Sequence, residues 1–541
     1  MSRRTWSIRS LVVGLVVSST AAVGVVGAPA GSVSATNQER VTATSPTTGV
    51  TYSAIHSCVA QMPSATATQP AEDVFVQLQY VRNGDVIFEV NDRVDFRSDD
   101  NRLKFQRSDT PFFLGIDDVT FRFRDVFVSD GLSSFGPVFM TITPQPCPDY
   151  GDEQRGAFEA IAPQRVLDTR PDQSINFSGS KPGAGASVKI AAADMPGRPA
   201  NAVAVSATIT MVQPDRRGFA QAYPTGSVVP GSASTVNSPD RGVNIANGAV
   251  VPFGADGSIS LFTSGGSHLL VDINGYFVKT ATAVAGGRLE SIDPARLFDS
   301  RAGSKPAPDS ITTVDLTVLE SGLPPGATAA VVNITAARTT APGFVQAAAS
   351  GSLAVGESSV LNVTGVGQSV AGLSIVPVSS DGKIDLYTRG GADLIVDLFG
   401  WFTGPDAEVS GSGLFVPLTP ERVFDSRRAT SMNPNTFTDE FSGCCSGSDA
   451  ALGFASLQDK VSAVFLNATA IGFGVRGFIR IGGDNNSTFS TVNHAAQGAI
   501  ANAALVPIAD GDTRARLFAE GARVAGTRPA LAADITGYFT K

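Results

Sequence analysis

Pro163-Gln164-Arg165-Val166-Leu167-Asp168-Thr169-Arg170 is written three times in this chain. It returns as Pro294-Ala295-Arg296-Leu297-Phe298-Asp299-Ser300-Arg301 and as Pro420-Glu421-Arg422-Val423-Phe424-Asp425-Ser426-Arg427. Far downstream of each copy stands a second motif. It reads Val271-Asp272-Ile273-Asn274-Gly275-Tyr276-Phe277, then Val396-Asp397-Leu398-Phe399-Gly400-Trp401-Phe402, then Ala533-Asp534-Ile535-Thr536-Gly537-Tyr538-Phe539. From Asp168 to Asp299 is 131 residues and from Asp299 to Asp425 is 126. Such a period is a whole domain, longer than the rung of a solenoid. Most of the chain is therefore one module in three copies, and tandem repetition points to binding, spacing or display more than to catalysis.

Working outward from the motifs, each copy contains an apolar alternation of period two, the mark of a strand. It runs Ala207, Ile209, Met211 in the first copy, Val332, Ile334, Ala336 in the second and Leu466, Ala468, Ala470 in the third. Thr208, Asn333 and Asn467 fall on the opposite face. A Gly-Phe pair follows at Gly218-Phe219, Gly343-Phe344 and Gly477-Phe478, then Val236-Asn237, Leu361-Asn362 and Val492-Asn493. Asp256-Gly257, Asp381-Gly382 and Asp510-Gly511 after a Val-Pro strand predict hairpins with type I′ turns, which need two residues at positive φ. Gly265-Gly266 and Gly390-Gly391 lead into the closing strand. No long amphipathic helix is legible. The fold expected is mainly β: tandem antiparallel β-sandwich or barrel domains, with one distinct N-terminal β domain before three homologous repeats.

Upstream, Val74, Val76, Leu78 and Tyr80 alternate, Asn83-Gly84 supplies a turn, and Val86, Phe88 and Val90 return. Phe121 and Phe123, then Val126 and Val128, continue the period, and Pro144-Gln145-Pro146-Cys147-Pro148 ends the domain. The divisions expected are a signal peptide at 1–35, a flexible Thr/Ser-rich linker at 36–50, the N-terminal domain at 51–148, and repeats at 157–279, 288–403 and 414–541. Arg3, Arg4 and Arg9, followed by an apolar stretch from Leu11 to Gly27 and small residues at Ala28-Pro29-Ala30 and Val33-Ser34-Ala35, read as an export signal. Cleavage is favoured over an uncleaved anchor because Ser18, Ser19, Thr20 and glycines dilute the stretch. No second apolar run of spanning length exists, so no stable membrane span is expected after cleavage. The destination expected is extracellular, with association to the cell wall.

The 541 residues carry a net charge of −9, and only 16% are charged. An acidic chain lacks the basic faces that nucleic acid requires. Export makes a Cys58–Cys147 disulfide possible at the two ends of the N-terminal domain. Cys444 and Cys445 are adjacent, and a vicinal bridge, free thiols and pairing with another chain all stay open.

The ordered set of motifs resembles a repeat of secreted actinobacterial proteins, and covers roughly three quarters of the mature chain. The resemblance implies accessory modules, found alone or appended to secreted hydrolases. Many members of that family carry cysteines in the two central strands. Here Tyr223 and Leu386-Tyr387 stand in their place, so that internal bridge is not expected. The N-terminal domain lies outside the resemblance.

Chemistry is sparse. The three histidines, His56, His268 and His494, do not recur at equivalent places. No nucleophile elbow, zinc signature, phosphate loop or dinucleotide fingerprint is present, and no cofactor is expected. Asp92, Asp95, Asp99, Asp100 and Asn101 are interleaved with Arg93, Arg97 and Arg102, which reads as a solvated hairpin face before a Ca²⁺ site; no metal is expected. Arg165, Asp168, Arg170, Arg296, Asp299, Arg301, Arg422, Asp425 and Arg427 are the candidate ligand-binding groups, set against a reading in which Asp makes an Asx-turn and the following Arg clamps it. Tyr276, Trp401 and Tyr538 are candidates for stacking on a sugar, set against core packing. Asp272, Asp397 and Asp534 are expected to tie the closing strand to a neighbouring loop. Three functions follow: a non-enzymatic array binding cell-envelope glycans or other surface proteins; a structural or adhesive spacer; or a hydrolase with its site in residues 51–148.

Overall fold

A computed structural model describes residues 38–47, 49, 51–57, 64–67, 75–82, 85–93, 119–129 and 132–142, and from 154 onward all but 228–229, 319–321, 426–449, 454–460, 473–476, 483–488, 495–497, 509–513 and 521–529. The signal segment, all four cysteines and the 95–101 acidic stretch lie outside the described residues. The chain is mainly β, and every described strand pairing is antiparallel.

In the N-terminal region Phe75–Arg82 pairs with Asp85–Arg93 and with Val119–Ser129, which pairs with Leu132–Ile142. Leu78 and Phe123 are fully buried. The apolar phase slips between Phe123 and Val126 because the ladder is irregular at Arg124, and an extra residue there turns the following side chains to the other face. Gln38–Thr44, assigned by composition to the flexible linker, is instead a strand paired in full register with Thr51–Ser57. Its Val41 and its β-branched threonines suit a ladder better than a tether.

Each repeat is a sandwich of two layers of four strands, and the inner layers of the first and third repeats join edge to edge, Gly156–Asp168 beside Phe415–Asp425, into one eight-stranded sheet. In the first, the inner sheet runs Ile245–Pro252, Ala202–Val212, His268–Lys279, Gly156–Asp168, and the outer sheet runs Val236–Ser238, Gly218–Pro224, Ile259–Thr263, Ala186–Ile190. The second and third repeats have the same order. Both named motifs thus lie on neighbouring strands of the inner sheet, the opening and the closing strand of the module. The alternating residues Ala207, Ile209 and Met211 enter one core, Val332, Ile334 and Ala336 the next, and Leu466, Ala468 and Ala470 the third.

The Asp-Gly turns form, but not as hairpins. Ile245–Pro252 and Ile259–Thr263 lie in different sheets, as do Val370–Pro377 and Lys383–Thr388. Gly257 and Gly382 have φ of +73° and +75°, while Asp256 and Asp381 are not at positive φ. The type I′ geometry is therefore absent, and the turn carries the chain across the sandwich. Asp510-Gly511 lies outside the described residues.

The three sandwiches share a centre. Phe277, Phe402 and Phe539, the last residues of the three closing motifs, have ring centroids 5.9, 6.1 and 6.1 Å apart. They form a nearly equilateral triangle to which each module gives one side chain. Around it, Phe158 of the first module packs 4.5 Å from Phe402 of the second, and Phe415 of the third 4.4 Å from Phe277 of the first. All five rings are 3% exposed or less. The backbone follows the same cycle. The Phe158 amide donates to Gly287 O and the Leu289 amide to Gly413 O, both at 2.8 Å, and Phe415 pairs with Gly156. Gly156, Gly287 and Gly413 are equivalent positions, so first meets second, second meets third and third meets first. At about 1.5–3 kcal/mol per fully buried large apolar side chain, this shared cluster is a substantial part of what holds the modules folded.

Candidate functional site

The first arginine of the opening motif reaches the aspartate of the closing motif. Arg165 Nε and Nη2 donate to Asp272 Oδ1 and Oδ2 at 2.7 and 3.0 Å. Arg296 holds Asp397 at 2.8 and 3.3 Å, and Arg422 holds Asp534 at 2.7 and 2.9 Å. The register explains it: each of these arginines sits directly opposite its aspartate across the ladder. The carboxylates are 4% exposed or less, and the two parallel N–H donors fit them as a planar fork.

Electrostatics pull both ways on this pair. Burial pushes the Asp272 and Asp397 carboxyls up, against the hydrogen bonds and charge of Arg165 and Arg296. Burial likewise works to lower Arg165, but the hydrogen bond and charge of Asp272, with those of Asp168, prevail and raise it. The bidentate geometry is that of an ion pair, and the charged state is the one it supports.

Two of these carboxylates, Asp272 and Asp534, also bond the next module. Asp272 Oδ2 accepts the Ser359 amide at 2.9 Å, and Asp534 Oδ2 accepts the Ser234 amide at 3.1 Å and its hydroxyl at 3.2 Å. Asn333 Nδ2 donates to Ser490 O at 2.7 Å and Asn467 Nδ2 to Ser234 O at 2.6 Å. Asn247 Nδ2 reaches Asn467 Oδ1 at 2.8 Å, and Asn502 Nδ2 reaches Asn333 Oδ1 at 3.0 Å. The polar face read on the central strand is therefore buried against a neighbour. Asp272 and Asp534 thus tie the closing strand to a loop of another module, while Asp397 bonds Arg296 on its own opening strand.

The second arginine closes on its own motif. The Arg170 amide donates to Asp168 Oδ1 at 2.9 Å, the Asx-turn bond, and Nε follows at 3.0 Å. Arg301 does the same to Asp299 at 3.0 and 2.8 Å. The Asp168 side chain is 1% exposed and that of Asp299 is 23%. In the first module the backbone of Ile175 also pairs with that of Asp168. The Asp425 side chain and Arg427 lie outside the described residues.

Tyr276 is 1% exposed, its hydroxyl donating to Pro196 O at 2.9 Å. Burial raises its pKa to about 12. Tyr538 is 6% exposed, and Trp401 is half-buried against the second core. A sugar ring could reach neither tyrosine without opening a module. The motif glycine makes room for the opening strand: a Cβ on Gly275 would meet the Phe158 ring at 2.2 Å, and one on Gly537 the Phe415 ring at 2.2 Å. The Gly-x-Phe/Leu that begins each repeat, ten residues before the motif aspartate, is the signal that could have found the shared centre.

Among the described residues no group of three or more His, Cys, Asp or Glu side chains gathers as a metal site, and no helix is long and apolar enough to cross a membrane. His268 is buried, with Nδ1 3.0 Å from Thr169 O.

No family model matches this chain, and no curated protein matches it. Among solved structures, a chain from the atomic structure of Sulfolobus Turreted Icosahedral Virus is similar at a TM-score of 0.14 and 10% identity, over 71% of this chain and 90% of that one. Similarity at that level carries no argument about fold or function.

Proposed function

We propose that this chain is an exported, non-enzymatic β protein of the repeat class it resembles, whose three modules act as one rigid body binding polysaccharide of the cell envelope. The observation that carries this reading is the cycle. Three equivalent sandwiches turn their inner sheets to a common centre, so one body displays three equivalent outer sheets. Repeated sites on a rigid support convert weak single contacts into strong retention on a polymeric surface. The repeated ionisable groups support binding over catalysis, because the described members are paired with one another. A pull-down of the mature protein on purified cell walls, with and without residues 154–541, tests the reading. Retention that requires the modules is the expected result; retention by residues 36–148 alone, or none, contradicts it.

The fused centre also favours a second reading, an adhesive or structural spacer with no glycan ligand. That reading expects the protein to stay at the cell surface while failing to bind purified polysaccharide.

A further inference from the structure

We infer that the cycle opens along one of its three seams, the contact between the first and second modules, while the other two stay shut. In those two an asparagine closes the contact. Asn247 of the first module stands opposite Ile209 across its ladder. Its Nδ2 donates to Thr235 O at 2.6 Å and to Asn467 Oδ1 of the third module at 2.8 Å, and its Oδ1 accepts the Ala503 amide at 2.8 Å. Asn502 of the third module repeats this against the second. Its Nδ2 donates to Thr491 O at 2.6 Å and to Asn333 Oδ1 at 3.0 Å, and its Oδ1 accepts the Leu373 amide at 2.9 Å. The register puts Gly372 of the second module at the same point, opposite Ile334. A glycine offers no side-chain bond to the first module. The facing residue changes too. Asn467 and Asn333 donate to the carbonyls of Ser234 and Ser490, but the first module has Thr208 in their place, which has no amide to give.

The same seam holds buried polar atoms without a hydrogen-bond partner: Thr210 Oγ1, Asn274 Oδ1, Ser358 Oγ and Asn362 Oδ1. Thr210 and Asn274 belong to the inner sheet of the first module. Ser358 and Asn362 lie on either side of Ser359 in the second, whose amide reaches Asp272. Where the third module meets the first, Thr469 Oγ1 donates to Asn237 Oδ1 at 3.4 Å, joining the equivalents of Thr210 and Asn362. Ala233 replaces Ser358 there, and Thr536 Oγ1, at the place of Asn274, is left without a partner. Where the second meets the third, Phe399 and Phe489 take the places of Asn274 and Ser358, their rings 5.2 Å apart. Water entering an open first seam gives its four atoms the partners they lack, so parting costs less there than where polar atoms are already bonded. The Phe158–Phe402 rings and the Phe158-to-Gly287 bond hold one end of this seam. Thr210 and Asn362 mark the other, because Thr210 pairs with Leu270 and Phe158 with Phe277 along the closing strand. The seam therefore parts at the Thr210 end and hinges on the rings.

The test is native-state hydrogen exchange of the full mature chain, resolved to single amides and corrected for intrinsic rates. The Ser359 and Ser234 amides are matched reporters, each bonded to a closing-strand carboxylate of a neighbour, Asp272 at 2.9 Å and Asp534 at 3.1 Å. Ser359 is expected to exchange at least about tenfold faster than Ser234, because an opening short of global unfolding exposes it. Thr208→Asn supplies the donor that Asn467 supplies to the third-to-first seam, and is expected to slow Ser359 several-fold while Ser234 stays as it was. Asn467→Thr copies the first module's residue into a closed seam, and is expected to speed Ser234. Equal protection of the two serine amides in the wild type overturns the inference. A fast Ser359 that stays fast in folded Thr208→Asn assigns the exchange to its loop alone and overturns it as well. Should Thr208→Asn fail to fold, Asn467→Thr decides, and an unchanged Ser234 rate is the overturning result.

Discussion

Asp397 is 1% exposed and receives two nitrogens of Arg296, whereas Asp299 is 23% exposed and receives Arg301, itself 43% exposed. The same ion types therefore have different worth. Asp397→Asn removes a carboxylate that is 1% exposed and leaves the partly buried Arg296 to the longer Asp299 contact at 3.8 Å, and is expected to cost about 3 kcal/mol. Asp299→Asn breaks a rim pair screened by water and is expected to cost about 1 kcal/mol or less. Urea unfolding of both variants checks the order; equal losses would contradict it. The rim pair also sets a pH signature. The hydrogen bond from Arg301 holds the Asp299 carboxyl below its ordinary 3.8. A lowered folded pKa adds stability above the unfolded value and loses it as pH falls through the folded one. The stability gap between wild type and Asp299→Asn is thus expected to be full above pH 3.8 and to close below it. A gap that stays constant down to strong acid would exclude the linkage.

At the scale of the element, the crossings between modules are made by glycines that nothing else replaces. Gly287 has φ +75°, and a Cβ there would lie 2.6 Å from Phe158 O; Gly413 has φ +77°, with Leu289 O at 2.3 Å. Gly226 has φ +83° but nothing within 4 Å. Gly226→Ala is expected to cost only the backbone strain, about 1 kcal/mol. Gly287→Ala adds a clash with a neighbouring module and should lower the melting temperature well beyond that. Comparable melting for the two would show that the crossing is loose. The strands themselves were legible in the sequence, because one buried face imposes an alternation of two whatever the neighbours are. Ala207-Ile209-Met211 reads as a strand in any β-sandwich. The second face was not legible. Asn333 and Asn467 look the same whether they face water or Ser490 and Ser234 of a neighbour. The turn chemistry of Asp256-Gly257 points to a hairpin because Asp-Gly fixes a local reversal, while the sheet that each flank joins is set by distant residues. The Arg–Asp clamp was half legible: the Asx-turn follows from two residues of spacing, but the Arg165–Asp272 pair needs the register of strands more than a hundred residues apart in the chain.

For the whole molecule, the closed cycle means the modules fold together. Phe277, Phe402 and Phe539 each lack a complete set of neighbours unless all three modules are present. Heating is therefore expected to give one cooperative transition for residues 154–541, with the calorimetric and van't Hoff enthalpies in agreement for that body. The most direct measurement cuts the covalent chain and leaves the contacts. Protease sites placed at the exposed 281–283 and 405–406 stretches would separate the three modules in sequence. After cleavage at both, the three fragments are expected to elute as one particle from size-exclusion chromatography in native buffer, and to separate only on denaturation. Fragments that come apart in native buffer, each still folded, would show three independent domains and contradict the cycle.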